Sequence, residues 1–206
     1  MRRKLGILIV IDGIDQAGKR TQALMLTKKL HAQGNKSSYR SFPDYRTPLG
    51  RELRNYLSGE RRFNFQTVHM LYAANKWERA DSIAREIDHG SIVVVNRYTP
   101  SNLAYGIAHG LAEDWIQSLE EGLPKASLVV ILDVPPKASF KRKQVRRDIH
   151  EENLTYLVKV RRAYLRLAKK YRWKTLDGGR DPRTVHLELW RYVLQTLLRK
   201  LEPRAN

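Results

Sequence analysis

The sequence predicts an α/β fold in three layers, with a five-stranded parallel sheet covered by helices on both faces. Two observations carry that prediction. Short runs of Ile, Val and Leu alternate along the chain with longer stretches of helical periodicity. The runs also lack the polar alternation of a half-exposed strand, as strands buried on both faces do.

The elements follow in order. Leu5–Ile11 reads as the first strand, and a helix starts near Lys19 and continues through Thr21–Leu30. Lys36–Phe42 reads as the second strand, followed by a loop, Pro43–Gly50, that leads into a helix. Phe65–Asp88 has helical spacing, and Ser91–Val95 is a short buried strand. Asp114–Glu121 is helical, and Leu128–Val134 is a strand closed by Pro135 and Pro136. In the basic helix Lys159–Lys174, the stripe Tyr164, Leu165, Leu167, Ala168 and Tyr171 marks the buried face. Trp173–Leu176 supplies the last strand, and Pro182–Leu201 the final helix. With no repeat, low-complexity tract or long linker, residues 1–206 are expected to form a single domain.

Composition narrows the function classes. The 206 residues carry 39 Lys plus Arg against 21 Asp plus Glu, a net charge of +18. Such a balance suits phosphate-rich partners. No nucleic-acid recognition motif accompanies it, so most of the charge reads as basic helical surface and a nucleic acid is not the expected partner. The absence of cysteine excludes disulfides and thiolate metal sites. No apolar run approaches the ~20 residues of a membrane span, and the first segment is too short and wrongly flanked for a signal peptide. The expectation is a cytoplasmic protein without membrane contact.

The most specific feature is the segment directly after the first strand. Gly13-Ile14-Asp15-Gln16-Ala17-Gly18-Lys19-Arg20-Thr21 has the glycine and lysine spacing of a phosphate-binding loop. Gly13 and Gly18 permit backbone angles that a Cβ would block, so successive N–H groups can surround an anion at a helix N-terminus. Lys19 would add a point charge on the β- and γ-phosphates. One position departs: Arg20 stands where a magnesium-binding hydroxyl is usual, and the hydroxyl follows at Thr21. In parallel sheets ligands sit at the carboxyl ends of the strands. Phe42–Thr47 and Asn96–Gly106 therefore converge on the loop, and Lys19, Arg46 and Arg97 are expected in one cleft.

With these segments in view the chain resembles the thymidylate kinases, closest to the eukaryotic and poxviral type. The carrying residues are Gly13–Gln22, Phe42-Pro43 with Thr47 and Gly50, Leu71–Glu78, Asn96–Tyr105 and Gly122–Lys125. They run in order over nearly the whole chain. The resemblance implies a P-loop kinase fold with a short helical lid at about residues 141–151. It also implies transfer of the γ-phosphoryl of ATP to dTMP, giving dTDP and ADP, with Mg²⁺, by a homodimer.

Site roles follow from the same resemblance. Gly13 to Thr21 would hold ATP, with Lys19 on the transferring phosphoryl. Asp15 would grip the acceptor's sugar, and Arg97 would bridge donor and acceptor phosphates. Phe42, Tyr72, Lys76, Ser101 and Tyr105 would line the dTMP site, with Tyr72 stacked on thymine and Tyr105 placed against a ribose 2′-hydroxyl. Lys76 stands where the family has an arginine on the base's carbonyl edge, and keeps a donor without the planar fork. Tyr45 stands where an acceptor-phosphate arginine is expected, making Arg46 the candidate substitute. Gln16 replaces a loop arginine, which shifts the catalytic cation to Arg142, Arg146 or Arg147 of the lid.

Arg20 and Asn96 replace the hydroxyl and the aspartate that serve the metal in the family pattern. Hard cations prefer anionic oxygen ligands. Thr21 with Asn96 could form a degenerate site, magnesium could arrive on ATP, or catalysis could be impaired. Two classes stay open on sequence alone: a working dTMP kinase, and a nucleotide-binding paralogue with altered metal-dependent catalysis.

Overall fold

A computed structural model describes residues 6–142 and 154–201. The chain runs β1 (Ile7–Asp12), α1 (Lys19–Ala32), β2 (Ser37–Ser41), α2 (Pro48–Leu57), α3 (Phe65–Asp88), β3 (Ile92–Asn96) and α4 (Thr99–Ala108). It continues with α5 (Glu113–Ser118), β4 (Leu128–Asp133), α6 (Pro136–Arg142), α7 (Leu154–Lys170), β5 (Lys174–Asp177) and α8 (Pro182–Leu201). The five strands form one sheet in the order β2-β3-β1-β4-β5. Every pairing is parallel, so the expected α/β architecture is what the chain adopts.

Burial explains which strands were easiest to read. All residues of β1 and β3 are buried, and these two are the apolar runs of the sequence. The edge strands β2 and β5 are half-buried or exposed, Leu176 excepted, so their sequences carry a weaker signal. Ile7, Ile9 and Ile11 join the core that α1, α7 and α8 close over one face. Leu8 and Val10 point to the other, against Ala80 and Ile83 of α3. The alternation along β1 is therefore divided between two layers.

Two helix assignments need correction. The basic helix ends at Lys170, and Arg172 turns the chain with φ of 55° before Lys174 enters β5. Within it Tyr164, Leu167 and Ala168 are buried as expected, but Leu165 is 36% exposed. The real stripe adds Leu157, Val160 and Ala163 at three- and four-residue spacing. Thr99–Ala108, read from sequence only as a post-strand segment, is a helix with Pro100 in its first turn, where its missing N–H costs nothing.

The central strand sets the stability of the sheet. Ile9 is fully buried and pairs with both neighbours, Val94 and Leu128. Ile9→Ala is expected to lower the unfolding free energy by about 2–5 kcal/mol, read from urea denaturation curves. A loss below about 1 kcal/mol would contradict this placement.

Candidate active site

The site grows from the ends of β1 and β3. β1 stops at Asp12, which is fully buried. Its carboxylate accepts from Gly13 N at 2.9 Å, Tyr98 N at 3.1 Å, Ser101 Oγ at 2.6 Å and Tyr164 OH at 2.8 Å. One side chain thus ties the phosphate loop to the segment after β3 and to α7. Burial and the Asp12 charge push the Tyr164 phenol well above its ordinary pKa, so it stays a donor.

The phosphate loop then follows. Gly13 has φ of 140°, and a Cβ there would lie 2.5 Å from the Leu132 carbonyl oxygen. Only glycine fits that approach. Gly18 caps α1 in the left-handed region at φ 89°. Ile14 and Ala17 are buried, and Lys19 donates from Nζ to the Ile14 carbonyl at 2.6 Å. The loop is thereby closed on its own lysine, ready to exchange a carbonyl for a phosphate oxygen.

Beside it lies a cavity of about 220 Å³ whose lining includes Asp15, Phe42, Tyr72, Lys76, Arg97 and Tyr105. Ser101 and Asn96 line it as well. The structure therefore gathers seven of the eight residues expected around the acceptor nucleotide. Arg97 lines the cavity in a left-handed conformation, φ 63°, which a non-glycine residue keeps only at a cost of order 1–3 kcal/mol. Its guanidinium pairs with Asp15 and donates to Ser101 Oγ at 3.3 Å. Burial opposes the Arg97 charge, but Asp15, Tyr105, Tyr164 and Asp12 together outweigh it, so the guanidinium is held firmly protonated. Tyr105 donates to Asp15 at 2.6 Å, and burial raises its phenol above the ordinary range. Phe42 packs on Tyr98 with ring centroids 5.8 Å apart, next to a cis Phe42–Pro43 peptide bond.

Arg46 is the eighth residue, and it is a correction. It does not line the cavity. Its guanidinium grips Asp44 at 2.8 and 2.9 Å, with its side chain 74% exposed. That grip, with Arg79 at 2.9 Å, holds the Asp44 carboxyl well below the usual carboxylate range. Asn75 fixes the same loop by accepting from Asp44 N and donating to Thr47 Oγ1, each at 2.8 Å. Tyr45 reaches the cavity in Arg46's place. Of the three cations expected in one cleft, Arg97 lines it, Lys19 is buried in the phosphate loop, and Arg46 is turned away.

A second groove, of about 240 Å³, runs along the other side of the phosphate loop, between Gly18, Thr21, Gly178 and Pro182. Arg142 lines it, donating to the Gln16 carbonyl at 3.1 Å and to the Gly178 carbonyl at 3.0 Å. The structure thus joins one of the three lid arginines to the phosphate loop. Arg146 and Arg147, with most of the lid segment, lie outside the described residues.

The metal expectation is corrected in its geometry. Thr21 lines the second groove while Asn96 lines the first cavity, so the two do not converge on one ion. Adjacent helix positions differ by about 100°, and Thr21's phase carries it toward α8. Arg20 is exposed and lines neither space, so nothing favours the reading in which it displaces the metal. Among the described residues no group of three acidic, His or Cys side chains is arranged to hold an ion. Asn96 offers one oxygen: its Oδ1 is buried without a partner, while its Nδ2 donates to Ser41 Oγ at 3.0 Å. This donor set fits a magnesium carried on nucleotide phosphates with one neutral protein ligand, and not a resident ion.

Residues 11–189 match the family model for thymidylate kinase. The chain belongs to the thymidylate kinase family. It is 34% identical over 193 residues to the thymidylate kinase of Schizosaccharomyces pombe, covering 91% of each chain. It is 31% identical to the human thymidylate kinase, covering 92% of this chain and 90% of that one. A solved structure of the Candida albicans thymidylate kinase superposes with a TM-score of 0.83 at 29% identity, over 93% of this chain and 92% of that one. The family assignment makes this chain a phosphotransferase of the P-loop class.

Three residues of this kinase's site escaped the sequence reading. Asp12 was hidden because a carboxylate ending an apolar strand looks like a strand terminator; its position directly before Gly13 was the available signal. Glu120 accepts from both Lys76 and Asn102, and only the packing of α3, α4 and the turn after α5 brings the three together. Asp12→Asn would set an amide donor against donors already present. It is expected to cost about 1–3 kcal/mol in thermal or urea unfolding and to weaken binding of ATP and dTMP alike in titration calorimetry, whereas loss for one nucleotide alone would refute the shared role.

Proposed function

We propose that this chain transfers the γ-phosphoryl group of ATP to dTMP, giving dTDP and ADP. The observation that carries the reading is Arg97, which is paired with Asp15 of the phosphate loop where both line the cavity. A guanidinium there can contact phosphates from both sides. The reaction class needs little covalent chemistry from the protein, because the attacking phosphate oxygen is already anionic; positioning and charge neutralisation are the task.

Each residue then has a defined contribution. The 13–18 amides and Lys19 would surround the donor's terminal phosphates, with the nucleoside along the Thr21–Pro182 groove. Arg142, held on Gln16 and Gly178 carbonyls, would bring a second cation to the loop in place of the one Gln16 lacks. Asp15 and Tyr105 would bind the acceptor's sugar, with the Tyr105 hydroxyl crowding a 2′-oxygen. Tyr72 would meet the base with its ring face, worth about 1–3 kcal/mol. Asn96 would be the protein ligand for a magnesium carried on the phosphates, and that ion would supply charge neutralisation.

The reading extends to one kinase domain acting as a homodimer in the cytoplasm. No helix among the described residues is long and apolar enough to cross a membrane. Met70 and Trp77 of α3 are 44% and 43% exposed and lie seven residues apart on one helix face, a natural subunit contact. Met70→Asp is expected to shift the sedimentation coefficient from dimer to monomer; an unchanged coefficient would point the interface elsewhere.

The direct test is ADP release with ATP, dTMP and varied Mg²⁺. Turnover should need all three. Arg97→Ala is expected to lower kcat/KM by about 10²–10³-fold, the usual loss for one preorganised charge-stabilising donor. ATP binding without turnover at any metal concentration would sink the kinase reading.

A further inference from the structure

The wall of the acceptor cavity contains a buried ion pair that the chemistry above does not use. Lys76 and Glu120 are 3% and 4% exposed, with Lys76 Nζ 2.7 Å from Glu120 Oε1. The ammonium also donates to the Tyr72 carbonyl at 2.9 Å. Glu120 Oε1 accepts a further bond from Asn102 Nδ2 at 2.9 Å, and Asn102 Oδ1 bonds His69 Nδ1 at 2.7 Å. Lys76 and Asn102 both line the cavity. So does Tyr98, whose buried hydroxyl has no partner among the described residues. Burial and the Glu120 charge push that phenol up. An unpaired buried hydroxyl is costly and signals that this wall awaits a polar ligand atom.

The donor count gives the pair its meaning. An ammonium has three N–H donors and no acceptor. Tyr72 and Glu120 take two, which leaves one for the cavity. We propose that Glu120 is a positioning residue for base selection, holding Lys76 oriented so that its remaining N–H meets a ring carbonyl. The acceptor base is then a 4-oxopyrimidine, and a 4-aminopyrimidine meets an N–H with an N–H. A site built to bond one group rejects the mismatched analogue strongly, because its own buried donor is left unpaired. The inference rests on the dTMP kinase reading for the identity of the cavity.

Glu120 acts through geometry, drawing the flexible lysine stem to the cavity wall. Without the carboxylate the stem is free, the donor no longer meets the ring carbonyl, and the preference for that base should fall.

The test compares kcat/KM for dTMP and dCMP in the full chain and its variants. The unaltered enzyme is expected to favour dTMP at least 100-fold. Glu120→Gln should cut that ratio at least tenfold, through a higher KM for dTMP with dCMP little changed, and Glu120→Asp should restore most of it. Should Glu120→Gln fail to fold, the double variant Lys76→Met with Glu120→Met removes both charges and avoids an orphan; it too should lose the discrimination. A ratio that survives Glu120→Gln or the double variant, or losses on dTMP and dCMP in equal proportion, would overturn the inference while leaving the kinase reading intact. No turnover of dTMP by the unaltered enzyme would overturn both.

Discussion

Everything at this site depends on the carboxylate of Asp12. It ends the central strand and accepts four hydrogen bonds, from the phosphate loop, from the turn after β3, from the start of α4 and from α7. A buried carboxylate without such partners would be among the most expensive groups in the protein. With them, it becomes the pin that fixes two otherwise independent loops at one spacing. Phosphoryl transfer needs that spacing more than it needs any reactive side chain.

From that pin the two halves of the site separate cleanly. On one side Gly13 lies so close to Leu132 that no Cβ is admitted, and the loop folds over Lys19. On the other, Arg97 is held in a strained backbone conformation with its guanidinium between Asp15, Ser101 and the cavity. The strain is consistent with a residue whose direction matters more than its stability. Asp15 is paired with Arg97 and Tyr105 together, so an arriving acceptor must exchange contacts with a cluster that is already internally satisfied.

Much of this was legible in the sequence, for physical reasons. Strands buried on both faces must be apolar, and β1 and β3 announce themselves. A phosphate loop needs glycine at fixed offsets, so Gly13, Gly18 and Lys19 were readable at once. Other residues failed because their meaning depends on a neighbour. Arg46 was a plausible phosphate ligand until Asp44, two residues earlier, was seen to clamp it from the same turn. Thr21 looked like a substitute metal ligand, but helix phase points it into the other groove. The pairing of Lys76 with Glu120 joins residues 44 positions apart, and no local pattern encodes it.

A crystal structure with ADP and dTMP bound tests the central claim most directly. The account expects the dTMP phosphate on the Arg97 guanidinium, the sugar against Asp15 and Tyr105, the base beside Tyr72 and Lys76, and ADP along the Thr21–Pro182 groove. A structure with dTMP outside the Phe42–Tyr105 cavity, or with Arg97 touching neither nucleotide, would contradict it.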